Sequence, residues 1–158
     1  MFGPEVVLVS YILAPPQKIW LALTDGGITQ RYWYGRRIES SWRLEAPVRF
    51  YAREDNALTD SGKLIEYDPP RRLVYTFRNE LFATARAAGH SRVAFELEPH
   101  DALTKLTLIH DGIREEETAA VWREGWAPIL SSLKTLMETG VPLPELSEFV
   151  ERGRRRET

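Results

Sequence analysis

The sequence of 158 residues contains no cysteine. Disulfides, thiolate metal sites and cysteine nucleophiles are therefore excluded, and the composition fits a reducing compartment such as the cytoplasm. Histidine is scarce as well, since the chain has only His90, His100 and His110, and no H-E-x-x-H spacing occurs. We therefore expect neither a metal site nor a cofactor.

Long apolar runs are also missing. No segment approaches the roughly 18–20 apolar residues that a membrane-spanning helix needs, and no basic n-region followed by an apolar stretch opens the chain. The sequence therefore predicts a cytoplasmic protein without a membrane span.

An excess of charge of one sign is absent too. The 21 Lys and Arg residues against 23 Asp and Glu residues give a net charge of −2. Such a balance creates no overall field to attract a polyanion, and acidic neighbours dilute the local arginine pairs. We therefore expect no nucleic-acid partner.

Motifs for covalent catalysis are not found either. A G-x-S-x-G nucleophile elbow is absent, and Gly26-Gly27 lacks the downstream glycine and lysine of a phosphate-binding loop. Glu66 and Asp68 share a strand face, a geometry that supports acid–base work if that face is buried, but a solvated pair beside a turn is the favoured interpretation. We assign no catalytic residue.

Alternation of apolar and polar residues dominates the first two thirds of the chain. It predicts a first strand over Glu5–Leu13 and six more near residues 37–43, 47–53, 62–68, 72–78, 91–98 and 104–111. Asp68-Pro69-Pro70 separates two of these strands and predicts a hairpin. The pattern is that of an antiparallel meander covered on one side.

Helical signals flank this meander. Pro15-Pro16 opens a short helix, and Asp25 is a candidate N-cap for a second one through Trp33. A long amphipathic helix is predicted over Glu116–Thr139, with a kink at Pro128. Residues 81–89 have no firm pattern and are left open as a loop or a helical turn. We expect a single domain over residues 1–140 and a C-terminal tail over 141–158.

Large apolar side chains fall on the inner face of the strands and on the stripe of the last helix. They form either a plain core or the wall of a ligand cavity. His110 shares that face and is either a hydrogen-bonded structural residue or a polar group of the site. The predicted cavity residues are Trp33, Trp42, Phe50, Tyr75, Phe77, Phe95, His110, Trp122, Trp126, Ile129 and Leu133.

Several segments together resemble the SRPBCC superfamily, also called START-like or Bet v 1-like. They are the opening with Trp20, the hairpin from Gly62 through residues 68–73, the strand with Leu106 and His110, and the helix with Gly125-Trp126. The resemblance is specifically to the branch named after the activator of Hsp90 ATPase. It implies an α+β helix-grip fold, in which a curved antiparallel sheet of six to seven strands wraps around the long C-terminal helix and leaves a hydrophobic cavity.

The resemblance also sets the expected function. It implies a protein that binds a small apolar, aromatic or lipid-like ligand, so we expect ligand binding rather than catalysis. Two alternatives stay open: a polyketide-cyclase or aromatase-like enzyme, and an Hsp90-interacting module. Eukaryotic activators carry a further N-terminal domain that the sequence does not contain, so we expect no effect on Hsp90 turnover. A homodimer is left open as well.

Overall fold

The computed structural model describes residues 3–144. Its strands are β1 (Val6–Ile12), β2 (Arg36–Glu39), β3 (Pro47–Ala52), β4 (Leu58–Asp68), β5 (Arg72–Asn79), β6 (Ser91–His100) and β7 (Leu103–Asp111). Its helices are α1 (Pro16–Thr24), α2 (Gly26–Tyr32), α3 (Ala83–Ala88) and α4 (Glu116–Thr139).

All the strands form one seven-stranded antiparallel sheet in the order β1-β7-β6-β5-β4-β3-β2. Strands β2 to β7 are a continuous meander, and β1 is added beside β7. Register shifts at Phe50/Tyr51 in β3 and at Leu64/Glu66 in β4 bend the sheet, since a bulge increases local curvature. The helix α4 packs on the inner face, so the predicted α+β helix-grip fold is confirmed.

Local chemistry accounts for the starts of α1 and α2 and for the end of α4. Pro16 stands at the first position of α1. Asp25 caps α2, because its Oδ1 accepts a hydrogen bond of 2.8 Å from the Gly27 N–H. α4 ends at Gly140, whose φ of 84° is left-handed and whose N–H donates to the Leu136 carbonyl at 2.8 Å.

α4 also binds the outer edge of β1. Its Lys134 ammonium donates to the Tyr11 carbonyl, and the Leu13 N–H donates to Glu138 Oε2 at 2.8 Å. Arg123 donates to the Glu5 carbonyl at 3.3 Å. These side chains give partners to backbone groups that an edge strand would otherwise expose.

Two strand boundaries differ from the sequence prediction by four residues each. β2 ends at Glu39, because the chain then turns with Trp42 and Glu45 at positive φ of 58° and 68°. β4 begins at Leu58, before the predicted start at Gly62, so the polar run Asp60-Ser61 belongs to the strand and not to a turn. Residues 81–89, left open above, contain the six-residue helix α3.

None of the helices within residues 3–144 has both the length and the apolar character needed to cross a membrane. Most of the predicted C-terminal tail, from residue 145 onward, lies outside the described residues.

Gly62 is the position where the bent sheet leaves no room for a side chain. A Cβ there would overlap the carbonyl group of Thr76 on β5. We expect Gly62→Ala to lower the free energy of unfolding by about 3 kcal/mol or more, because two backbones would have to separate. Urea denaturation measures the change.

Gly125 supplies the matched control. It lies inside α4 with open space around its Cα, so Gly125→Ala should stabilise the protein by about 0.5–1 kcal/mol through its better helix propensity. Equal small effects of the two substitutions would show that β4 and β5 are not held this closely.

Candidate ligand-binding site

A pocket of about 600 Å³ opens at one end of the grip. It lies between α3, the first turns of α4 and the ends of β5, β6 and β7. Its apolar wall consists of Phe77, Phe82, Ala85, Ala88, Ile113, Val121 and Trp122. Its polar groups come from Arg78, Asn79, Thr84, His90, Ser91, Arg114, Glu115, Glu117 and Thr118.

The short helix α3 covers this pocket and is held mainly at its start. Asn79 Oδ1 accepts from the N–H groups of Leu81 and Phe82 at 2.9 and 3.3 Å. Arg86 reaches back to donate to the Glu80 carbonyl at 2.6 Å. None of the residues of α3 is buried. The cover is therefore attached by local hydrogen bonds and little apolar contact, which is typical of a segment that opens easily.

The charge of Arg78 is neutralised within the wall. Glu80 lies 2.7 Å from the Arg78 guanidinium, and Ser61 donates to it at 2.6 Å. Burial alone would raise the pKa of Glu80, but the hydrogen bonds from Ser61 and Arg78 outweigh it and lower that pKa. Burial and the nearby Arg78 lower the pKa of His90, whereas Glu80 acts on it in the opposite direction.

A chain of hydrogen bonds runs from the core to the pocket wall. The Trp126 indole Nε1–H donates to His110 Nδ1 at 2.9 Å, and His110 Nε2 lies 2.6 Å from Ser91 Oγ. Ser91 Oγ in turn donates to the Phe77 carbonyl at 3.1 Å. Ser91 lines the pocket, whereas His110 is fully buried behind it.

The indole fixes the tautomer of His110. An indole N–H can only donate, so Nδ1 must carry no proton, and the neutral ring therefore carries its proton on Nε2. His110 then donates to Ser91, whose own proton points to Phe77. Burial lowers the pKa of His110 to about 3, so the ring is neutral at physiological pH.

This arrangement does not activate Ser91 as a nucleophile. His110 cannot take the Ser91 proton, because its Nε2 is already protonated and its Nδ1 faces the indole N–H. Glu66, the other candidate acid or base, is about half exposed and pairs with Arg72 at 2.7 Å on the outer surface. The Ser91–His110 pair is therefore a hydrogen-bonding wall and not an activated nucleophile.

The structure places the predicted cavity residues in three locations. Phe77 and Trp122 line the pocket. Trp42 lies in the loop after β2 at the opposite end, stacked on Tyr67 at 5.7 Å between ring centroids. The others are buried in the middle of the grip and outside the pocket lining: Trp33, Phe50, Tyr75, Phe95, His110, Trp126, Ile129 and Leu133. Their contact with a ligand stays a prediction.

Interlocked rings fill this middle region. The indole of Trp33 from α2 lies 4.8 Å from Phe50 and 5.2 Å from Trp126, measured between centroids. Phe95 lies 6.1 Å from Trp126. Such edge-to-face and tilted contacts are those of a packed aromatic core.

Sequence reasoning missed Ser91 and Asp60. Ser91 starts a strand on the same parity as Val93 and Phe95, and this alternation could have placed it on the inner face. Asp60 stands in an Asp-Ser-Gly run that favours a turn, and only the strand pairing shows that it points inward. The α3 residues that line the pocket are small, and nothing else in the sequence indicates that they line it.

Among residues 3–144, no group of three or more His, Cys, Asp or Glu side chains is placed to hold a metal ion.

A curled seven-stranded sheet, a long C-terminal helix and a pocket at the end of the grip define a helix-grip protein of the SRPBCC type. Residues 13–138 match the family model described as Activator of Hsp90 ATPase homolog 1-like protein. The chain therefore belongs to that family.

Solved structures with the same fold share little sequence with this chain. CalU16 from Micromonospora echinospora is 24% identical, with 96% of this chain and 84% of that chain covered and a TM-score of 0.69. The Aha1 dimer from Colwellia psychrerythraea is 20% identical, with 87% and 98% covered and a TM-score of 0.70. An HSP90 activator from Plasmodium falciparum is 20% identical, with 78% and 88% covered and a TM-score of 0.64. No curated protein matches the chain significantly.

Neutral His110 makes stability depend on pH. Its pKa is about 3 in the folded protein against 6.5 ordinarily, so the unfolded chain binds the proton more readily between these values. The contribution of neutral His110 to the free energy of unfolding is fully present above pH 6.5. It decreases as the pH falls toward 3, by up to about 1.4 kcal/mol per pH unit.

Urea denaturation of wild type and His110→Gln over this range measures the difference. Glutamine can accept from Trp126 and donate to Ser91 but does not titrate, so its curve should be flatter. His100→Gln, at a half-exposed position, is the control and should keep the wild-type slope. Parallel curves for wild type and His110→Gln would contradict the buried neutral ring.

Proposed function

We propose that this protein binds a small, largely apolar molecule in the end pocket and does not transform it. The observation that carries the proposal is the pocket of about 600 Å³ with an aromatic and aliphatic wall. Its volume lies within the roughly 300–1,000 Å³ that is typical of small-molecule sites. Glu66 and Asp68, the carboxylates considered for acid–base work, do not line this pocket.

The wall suggests how the ligand is oriented. Phe77 and Trp122 pack at 5.5 Å between centroids and offer ring surfaces to an aromatic or aliphatic body. Ser91 keeps one free lone pair on Oγ, because His110 and the Phe77 carbonyl occupy its other positions. Charged side chains, including Arg114, Glu115 and Glu117, lie toward the mouth and favour a polar end that stays near solvent.

The relatives support a shared scaffold with different pocket contents. One structural neighbour is named an HSP90 activator, and another, DynU16, is a protein in the dynemicin biosynthetic locus. A common fold therefore serves different tasks, and the function of this chain has to be argued from its own pocket. The neutral, hydrogen-bonded His110 favours binding over the cyclase-like alternative.

Filling the pocket from α3 tests this proposal. Ala85 lines the pocket, whereas Ala87 on the same helix is exposed and does not. We expect Ala85→Phe to weaken binding of the uncharged fluorescent probe N-phenyl-1-naphthylamine by about ten-fold or more, which is about 1.4 kcal/mol. Ala87→Phe makes the same change of helix propensity and should leave the affinity within about two-fold. Fluorescence titration gives both dissociation constants.

Two outcomes would contradict the proposal. One is a wild-type protein that does not enhance the fluorescence of the probe at all. The other is equal affinity in the two variants and wild type, which would place the probe outside this pocket. Urea denaturation of each variant confirms that affinities are compared among folded proteins.

A further inference from the structure

A second cluster of polar side chains lies inside the grip and outside the pocket lining. Asp60 on β4 has no exposed surface. It pairs with Phe50 on one side and Asn79 on the other, so its carboxylate points to the inner face of the sheet. A buried carboxylate in this position needs partners for both oxygens.

Only one of its two oxygens is satisfied. Asp60 Oδ2 lies 3.0 Å from Arg36 Nη1 and accepts from the Thr59 hydroxyl at 2.8 Å. Oδ1 is buried and has no hydrogen-bond partner. Burial raises the pKa of Asp60, while Arg36 and Thr59 act in the opposite direction.

The hydroxyl of Tyr75 is in the same situation. Tyr75 on β5 is fully buried, and its hydroxyl has no hydrogen-bond partner. Burial raises its pKa, and so do the neighbouring Tyr32 and Asp60. Both residues adjoin Phe50, which is the strand partner of Asp60 and whose ring centroid lies 6.2 Å from that of Tyr75.

These two atoms stand out among the described residues. Within residues 3–144, one other buried side-chain atom lacks a hydrogen bond by strict geometry, Arg72 Nε, and it lies 2.7 Å from Glu66 in an ion pair. Leaving a buried polar group unpaired is costly, and native proteins rarely leave two together. Their chemistry is complementary to one group: a carboxylate oxygen needs a donor, and a phenol can donate to the same atom in return.

The site lies directly behind the inner wall of the pocket. Phe77 and Asn79 line the pocket on β5. The Phe77 ring packs at 6.2 Å from the Tyr75 ring, and Asn79 is the strand partner of Asp60. A ligand in the pocket therefore reaches Asp60 and Tyr75 only where the Phe77 ring moves aside.

We propose that Asp60 and Tyr75 form a hydroxyl-binding site, in which a bound O–H donates to Asp60 Oδ1 and its oxygen accepts from the Tyr75 hydroxyl. The hydroxyl belongs either to an internal water or to the distal end of the ligand. The second source rests on the proposed function and makes the ligand an aromatic or aliphatic alcohol.

Removal of the Tyr75 hydroxyl tests the site itself. If the hydroxyl-binding site is occupied, Tyr75→Phe breaks a hydrogen bond and lowers the urea midpoint. If it is empty and dry, the same substitution removes an unsatisfied group and raises the midpoint. Tyr32→Phe is the control that shows the effect of losing one buried tyrosine hydrogen bond. The Tyr32 hydroxyl donates to the Ala22 carbonyl at 2.7 Å, so its loss must lower the urea midpoint. A raised midpoint in Tyr75→Phe overturns the proposal.

A pair of probes of similar size identifies the source of the hydroxyl. Affinities for 1-naphthol and 1-methylnaphthalene are measured on wild type and on Tyr75→Phe. If the ligand supplies the hydroxyl, the preference for 1-naphthol falls about ten-fold in the variant. An unchanged preference together with a lowered midpoint assigns the site to water. If neither probe binds, the proposed function fails. The change in the urea midpoint of Tyr75→Phe then decides by itself whether the hydroxyl-binding site is occupied.

Discussion

The hydrogen bond from the Trp126 indole to His110 joins α4 to the sheet at the boundary between the packed core and the pocket. Both side chains are almost fully buried, so neither can turn to water for another partner. The indole requires an acceptor, and a neutral imidazole is the acceptor that this position offers. The requirement fixes the tautomer of His110, and through it the donor that faces Ser91 and the pocket.

The rings around this hydrogen bond explain why the pocket lies at the end of the grip. Trp33 from α2 and Trp126 from α4 meet between the inner faces of the strands and fill the middle. Beyond Phe77 and Trp122, the described part of the chain covers this end with α3, a six-residue helix that buries none of its side chains. The pocket is therefore at this end, under a helix that is attached mainly by local hydrogen bonds.

Much of this architecture is predictable from the sequence, because periodicity reports which face of a strand or helix is apolar. The limits of α4 and the cap at Asp25 follow from the local pattern and agree with the structure. The location of the pocket does not follow from the sequence. Alternation assigns Phe95 and Phe77 to one face of the sheet but carries no information about which ring packs in the core and which lines the pocket. Asp60 illustrates the same limit, because its turn-like neighbours conceal a strand whose position depends on pairing with β3 and β5.

The five tryptophans provide the most direct test of a ligand site at this end of the grip. Trp122 lines the pocket, Trp33 lies in the packed middle, and Trp20 and Trp42 lie near Tyr67 at the far end. The measurement is an NMR titration of the indole N–H resonances with N-phenyl-1-naphthylamine. The structure predicts the largest shift at Trp122 and no shift at Trp20 or Trp42. A largest shift at Trp33 or Trp42, with Trp122 unmoved, would contradict it.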